Sequence, residues 1–108
     1  MNLKKMIEEK LKIPVIEDFK PICPPCVTYY PISDNPVLCG DGETLEETES
    51  YQIDIWCKKR SEACNMAKIM KKAIQDTVGN TIPTVSYYYD NNGKTWRGNL
   101  IFEHIREE

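Results

Sequence analysis

From Tyr51 to Lys58 the chain alternates strictly, with Tyr51, Ile53, Ile55 and Cys57 on one side and Gln52, Asp54, Trp56 and Lys58 on the other. A period of two demands an extended strand with one apolar face. Directly after it the period lengthens to that of a helix. Ser61 is placed as its N-cap and Glu62 in its first turn, where an acid meets the positive end of the helix. The stripe Ala63, Met66, Ala67, Met70, Ala73, Ile74 and Val78 is the expected buried face, and Gly79-Asn80 the expected stop. A half-apolar strand feeding an amphipathic helix restricts the chain to folds that lay helices against a sheet.

The flanks extend that frame. Leu3, Met6, Ile7 and Leu11 mark one face of an N-terminal helix that Pro14 closes. Val15-Ile16 reads as a short strand, and Phe19 to Pro25 is too rich in proline for a central strand. Val27 to Ile32 reads as a strand. Ser33 to Ser50, with Asp34-Asn35-Pro36, Gly40-Asp41-Gly42 and a run of Glu and Thr, reads as a long acidic loop. Pro83 to Tyr89 and Thr95 to Ile105 form a hairpin about Asp90-Asn91-Asn92-Gly93, with Asn-Gly supplying positive φ. The expected fold is a single α+β domain over residues 1–108, with two helices packed on one face of a mostly antiparallel sheet of four to five strands.

A chain of 108 residues supports one core and not two. The net charge is -3, and the clusters Lys4-Lys5 and Lys58-Lys59-Arg60 are short and flanked by acids, which argues against sequence-specific or tight nucleic-acid binding. No apolar run approaches the roughly 20 residues that cross a bilayer. The acidic, amphipathic N-terminus is unlike a signal peptide, so the protein is expected to stay in the compartment where it is made and to keep its five cysteines reduced.

Cys23-Pro24-Pro25-Cys26 has the spacing of a redox dithiol, but a strand follows it, and not the helix whose N-terminus activates such a thiolate. Metal binding suits it better. Cys23 and Cys26 can grip Zn²⁺, Cys39 can add a third ligand, and a fourth must come from Cys57, Cys64, His104 or a carboxylate. No second Cys-x-x-Cys completes the set, and reduced bystander cysteines are the plainer reading. Cys57 and Cys64 are expected in the core. His104, the only histidine, has no nucleophile marked out as a partner, and the acidic residues from Asp41 to Glu49 do not complete a calcium loop. No phosphate-binding glycine loop and no His-Glu-x-x-His helix is present.

The aromatic residues carry more. Trp56, Tyr88, Trp96 and Phe102, mixed with Arg97 and Lys58, are expected on a sheet face that two helices cannot fully cover. Large aromatics beside arginine act as anchors in protein–protein contacts. Core packing is the competing reading for any one of them. A single-strand nucleic-acid platform would use the same rings with more positive charge than this chain has.

The segment Tyr51-Gln52-Ile53-Asp54-Ile55-Trp56-Cys57-Lys58 with its helix from Ser61, followed by a hairpin carrying Tyr87-Tyr88-Tyr89 and Leu100-Ile101-Phe102-Glu103, resembles small tailed-phage and prophage proteins of the head–tail joining or tail-completion type. The order of elements matches over nearly the whole chain, and the shared motif has no catalytic content. The Cys-Pro-Pro-Cys segment departs from the pattern. The resemblance implies a non-enzymatic subunit without a cofactor that self-associates, as a ring such as a hexamer, and contacts tail-tube or connector proteins. It implies assembly in the host bacterial cytoplasm and a final place at the virion neck or tail end, with Ser33–Ser50 as an arm reaching a neighbour. The alternative is a small metal-stabilised binding module using Cys23, Cys26 and Cys39.

Overall fold

The computed structural model describes residues 3–16, 24–38 and 44–107, and the side chains of 3–16, 24–32 and 49–105. Two helices and five strands run in the order α1 (Leu3–Leu11), β1 (Val15–Ile16), β2 (Cys26–Leu38), β3 (Thr44–Cys57), α2 (Arg60–Gln75), β4 (Thr84–Asp90) and β5 (Thr95–Glu107). The strands form one sheet in the order β1-β2-β3-β5-β4, parallel between β1 and β2 and antiparallel elsewhere. The fold is α+β, with a mixed, mostly antiparallel sheet.

Alternation along the strands assigns one side of the sheet to the core. Val27, Ile53, Ile55, Cys57, Leu100 and Phe102 are buried in one cluster with Leu3, Ile7 and Leu11 of α1 and Ala63, Ala67, Met70 and Ile74 of α2. Leu3, Ile7 and Leu11 recur at i, i+4 and i+8, so α1 presents a single stripe. Small residues let α2 approach β5: a side chain at Gly98 would touch the Ala63 carbonyl oxygen at 3.5 Å and the Ala67 methyl at 3.6 Å.

Several expectations change. Ser33–Ser50 is not a loop where it is described, because residues 33–38 belong to β2 and 44–50 to β3. Glu46 of β3 pairs with Val37 on one side and Glu107 on the other, so hydrogen-bond ladders on both edges hold a polar strand extended. The molecule measures 51 × 25 × 21 Å. Ser61 is not the N-cap of α2; that position is two residues earlier, at Lys59, with no side-chain cap bond. Val78 leaves the predicted stripe, since the helix ends at Gln75 and Val78 is 93% exposed.

The β4–β5 turn differs as well. Lys94 is the residue with positive φ, at 52°. The Asn92 N–H donates to Asp90 Oδ1 at 3.0 Å, so a four-residue connection starts on an aspartate turn instead of an Asn-Gly pair.

Candidate functional site

The side of the sheet that is absent from the core cluster carries the candidate surface. Register places Tyr88 of β4 beside Arg97 of β5, Arg97 beside Trp56 of β3, and Trp56 beside Cys26 of β2. The Arg97 guanidinium lies 4.8 Å from the Tyr88 ring centre and 5.6 Å from that of Trp56, a cation held between two aromatic rings. The Trp56 indole N–H donates to Thr28 Oγ1 at 3.0 Å, which fixes the ring across the β2–β3 pair.

Beside this row runs a polar one. Asp54 is only 3% exposed although it faces away from the core cluster. Its Oδ1 accepts the Asn99 amide at 2.7 Å, and its Oδ2 accepts the Gln52 amide at 3.1 Å. Arg97 Nε stands 3.8 Å from Asp54 Oδ1, an ion pair too long for a hydrogen bond, and this buried nitrogen has no hydrogen-bond partner. Beyond the polar row, Tyr30 and Ile101 flank Gln52 in register and are exposed apolar groups, as is Ile32 further along β2, with Tyr30 at 46% and Ile32 at 48%. An aromatic–arginine row with exposed apolar groups to one side of it has the chemistry of a protein contact.

Of the four aromatic residues expected on that face, Trp56 and Tyr88 lie there. Phe102 does not: it is 2% exposed and stacks on Tyr51 with ring centres 5.6 Å apart, on the core side. Trp96 pairs with Cys57 in register, so it also lies on the core side, half-buried against Tyr89 and below the Arg60 guanidinium at 5.7 Å. The period of two explains both. Phe102 and Trp96 differ from Arg97 by an odd number of positions, so alternation puts them on the opposite face whatever the size of their rings. The same count would have found Tyr30, Asn99 and Ile101.

Cys26 heads β2 and is buried, while Cys23 and Cys39 lie outside the described residues. Among the described residues no three His, Cys, Asp or Glu side chains converge as a metal site. Cys57 is buried with its sulfur 3.7 Å from the Met66 sulfur. Burial, with Glu62 and Cys26 adding to it, pushes its thiol up to about 11. Cys64 is half-buried on α2, near Tyr87, whose hydroxyl titrates above its ordinary value through burial and then through Cys64.

His104 has a structural partner. The Asn80 amide nitrogen donates to the Ile74 carbonyl at 3.1 Å, so the Asn80 side-chain oxygen is the acceptor that faces His104 Nδ1 at 2.6 Å. The proton therefore sits on Nδ1, and the contact ties the end of α2 to the end of β5. An open groove of about 450 Å³ between the helices is lined by Lys5, Met6, Glu9, Lys10, Ala73, Asp76 and Thr77, a mixed-charge surface. No protein-family model matches the chain, and no curated protein matches it.

Proposed function

We propose that the chain is a structural assembly subunit of the head–tail joining or tail-completion type, working by surface burial and not by bond-making. The observation that supports this reading is the row Tyr88–Arg97–Trp56, preformed on the side of the sheet away from the core cluster. The Trp56 indole is already hydrogen-bonded to Thr28 and the Arg97 guanidinium already lies against both rings, so docking a partner orders few further rotamers. The partners are other copies in a ring, a hexamer being the expected size, and tail-tube or connector proteins. The extension of β2, β3 and β5 supplies a hydrogen-bonded arm where a loop was expected. The subunit needs no cofactor and works in the bacterial cytoplasm before taking its place at the virion neck or tail end.

The test is genetic and structural. Removing the gene from its phage or prophage genome is expected to leave filled heads and tails accumulating unjoined, or tails of abnormal length, under the electron microscope. A Trp56→Ala, Arg97→Ala double variant that folds is expected to give the same particles. Normal infectious particles from the deletion would overturn the reading.

A further inference from the structure

The two edges of this sheet differ in what they offer a further strand. In a strand, the N–H and C=O of one residue point to the same side, and those of the next residue to the other. The Val27 N–H bonds the Pro14 carbonyl at 2.9 Å, so Val27, Tyr29 and Pro31 point away from β3. Beyond the register shift between Pro31 and Ser33, Ser33 pairs with Ser50, and the outward set becomes Asp34 and Pro36. Both prolines of β2 therefore fall on its outer edge, where each removes a donor. Such an edge is protected against strand addition.

β4 has the opposite character. Glu103 of β5 exchanges bonds with Thr81, its carbonyl accepting the Thr81 N–H at 2.9 Å, so the odd residues of β5 point towards β4. Their partners Thr84, Ser86, Tyr88 and Asp90 point back, which leaves the N–H and C=O groups of Val85, Tyr87 and Tyr89 directed outward. Among the described residues no strand lies beyond β4. The seven residues Thr-Val-Ser-Tyr-Tyr-Tyr-Asp hold no proline, no glycine and no lysine, and they are rich in strand-forming types.

We infer that β4 is a self-pairing edge, joining two copies of this chain as an antiparallel β4–β4 dimer centred on Tyr87. The register follows from the sequence of the strand. Around that centre Tyr87 faces the partner's Tyr87, Val85 faces the partner's Tyr89, and Ser86 faces the partner's Tyr88. The outward groups of Val85, Tyr87 and Tyr89 all meet outward groups, so each pair exchanges both of its hydrogen bonds. The lateral pairs are aromatic with aromatic and aromatic with β-branched, which are favourable combinations. The only charge in the strand, Asp90, faces the partner's Thr84 and not a second aspartate.

Space allows the pairing. α2 packs chiefly over β5 and β3. The two β5 strands of the dimer stand three strand spacings apart, about 14 Å, which exceeds a helix diameter of about 10 Å. The two Tyr88–Arg97–Trp56 rows become neighbours on one continuous ten-stranded sheet, twice the five of one copy. Continuing the sheet head-to-tail from β4 to β2 of the next copy would instead meet Pro31 and Pro36. The dimer does not rest on the assembly reading and holds for the free chain.

Two measurements on the purified full chain test it. Light scattering over a dilution series is expected to show twice the 12.5 kDa chain mass at high concentration. Amide hydrogen exchange is expected to slow with concentration at Val85, Tyr87 and Tyr89, by tenfold or more, and to stay unchanged at Ser86 and Tyr88, which already face β5. A Tyr89→Lys variant is expected to weaken the dimer at least tenfold, while Ile32→Lys, near the blunted edge, leaves it intact. A monomer throughout the series would overturn the proposal, as would a dimer whose Val85, Tyr87 and Tyr89 exchange does not respond. The exchange measurement needs no variant, so a substitution that fails to fold leaves the test standing. Normal particles after gene deletion would refute the assembly role and leave this dimer untouched.

Discussion

Asp54 organises the outward face of the sheet. Its two carboxylate oxygens take the amides of Asn99 and Gln52, and its charge stands opposite Arg97. Asp54→Ala removes an acceptor from the buried Asn99 amide and the counter-charge from Arg97, an expected loss of about 2 kcal/mol, readable as an earlier urea midpoint with unchanged slope. Gly79 is a second single-residue dependence. It sits at φ 91°, and an added Cβ would meet the Ile105 carbonyl oxygen at 2.9 Å and His104 Cε1 at 3.1 Å. Gly79→Ala is expected to cost about 2 kcal/mol or more through the left-handed backbone and the clash together, with a lower melting temperature as the readout. Cys57 sets a pH limit. Its thiol is raised from 9.0 to about 11 in the fold, chiefly by burial. Between those values the unfolded chain has released the proton that the native chain keeps, so stability falls as pH rises through that window. Cys57→Ala is expected to flatten the alkaline side of a pH–stability curve, and native Cys57 is expected to resist alkylation at neutral pH.

At the scale of elements, legibility followed burial. α1, the Tyr51–Cys57 strand and the buried positions of α2 were readable because each has one face in the core, which imposes a period on apolar residues. The extension of β2 and β3 was not, since the sequence Thr44-Leu45-Glu46-Glu47-Thr48-Glu49 has no apolar alternation and the ladders to β2 and β5 pair it as a strand. Pro36 added to the misreading by resembling a loop signal, although a proline on an outer edge costs no ladder bond. The start of α2 lies two residues before the expected one because Ser61 looks like a cap, whereas the helix begins after Lys59 without one. That vacancy yields a prediction. Lys59→Asp replaces a cation at the positive helix end with a capping carboxylate, and is expected to stabilise the fold by about 1 kcal/mol, or roughly 4 °C in melting temperature. An unchanged or lower value would mean that the helix end is already served by other groups.

For the whole molecule, the centre of the candidate site was half legible. Trp56, Tyr88 and Arg97 were anticipated on one surface, whereas Phe102 and Trp96 belong to the core side because strand parity, and not ring size, decides the face. The cysteine segment bears on what holds the fold together, and here the core gives a definite expectation. Small domains that depend on zinc lack enough buried apolar surface to fold alone, and the metal supplies on the order of 10 kcal/mol. In this chain the buried cluster already joins α1, α2, β2, β3 and β5 through Ile7, Met70, Ile74, Val27, Ile53, Ile55, Leu100 and Phe102. Those residues already form one continuous apolar core among the described residues. A strong chelator is therefore expected to leave the melting temperature unchanged, and purified protein to hold far less than one zinc per chain by elemental analysis. The Cys23→Ser, Cys39→Ser double variant, which removes two of the three candidate ligands, should likewise melt within about 1 °C of the parent. A large drop on chelation, matched by the double variant and accompanied by stoichiometric zinc, would instead identify a metal-stabilised binding module. The outward-facing row would then be one face of that module, and its partners would have to be sought outside the virion.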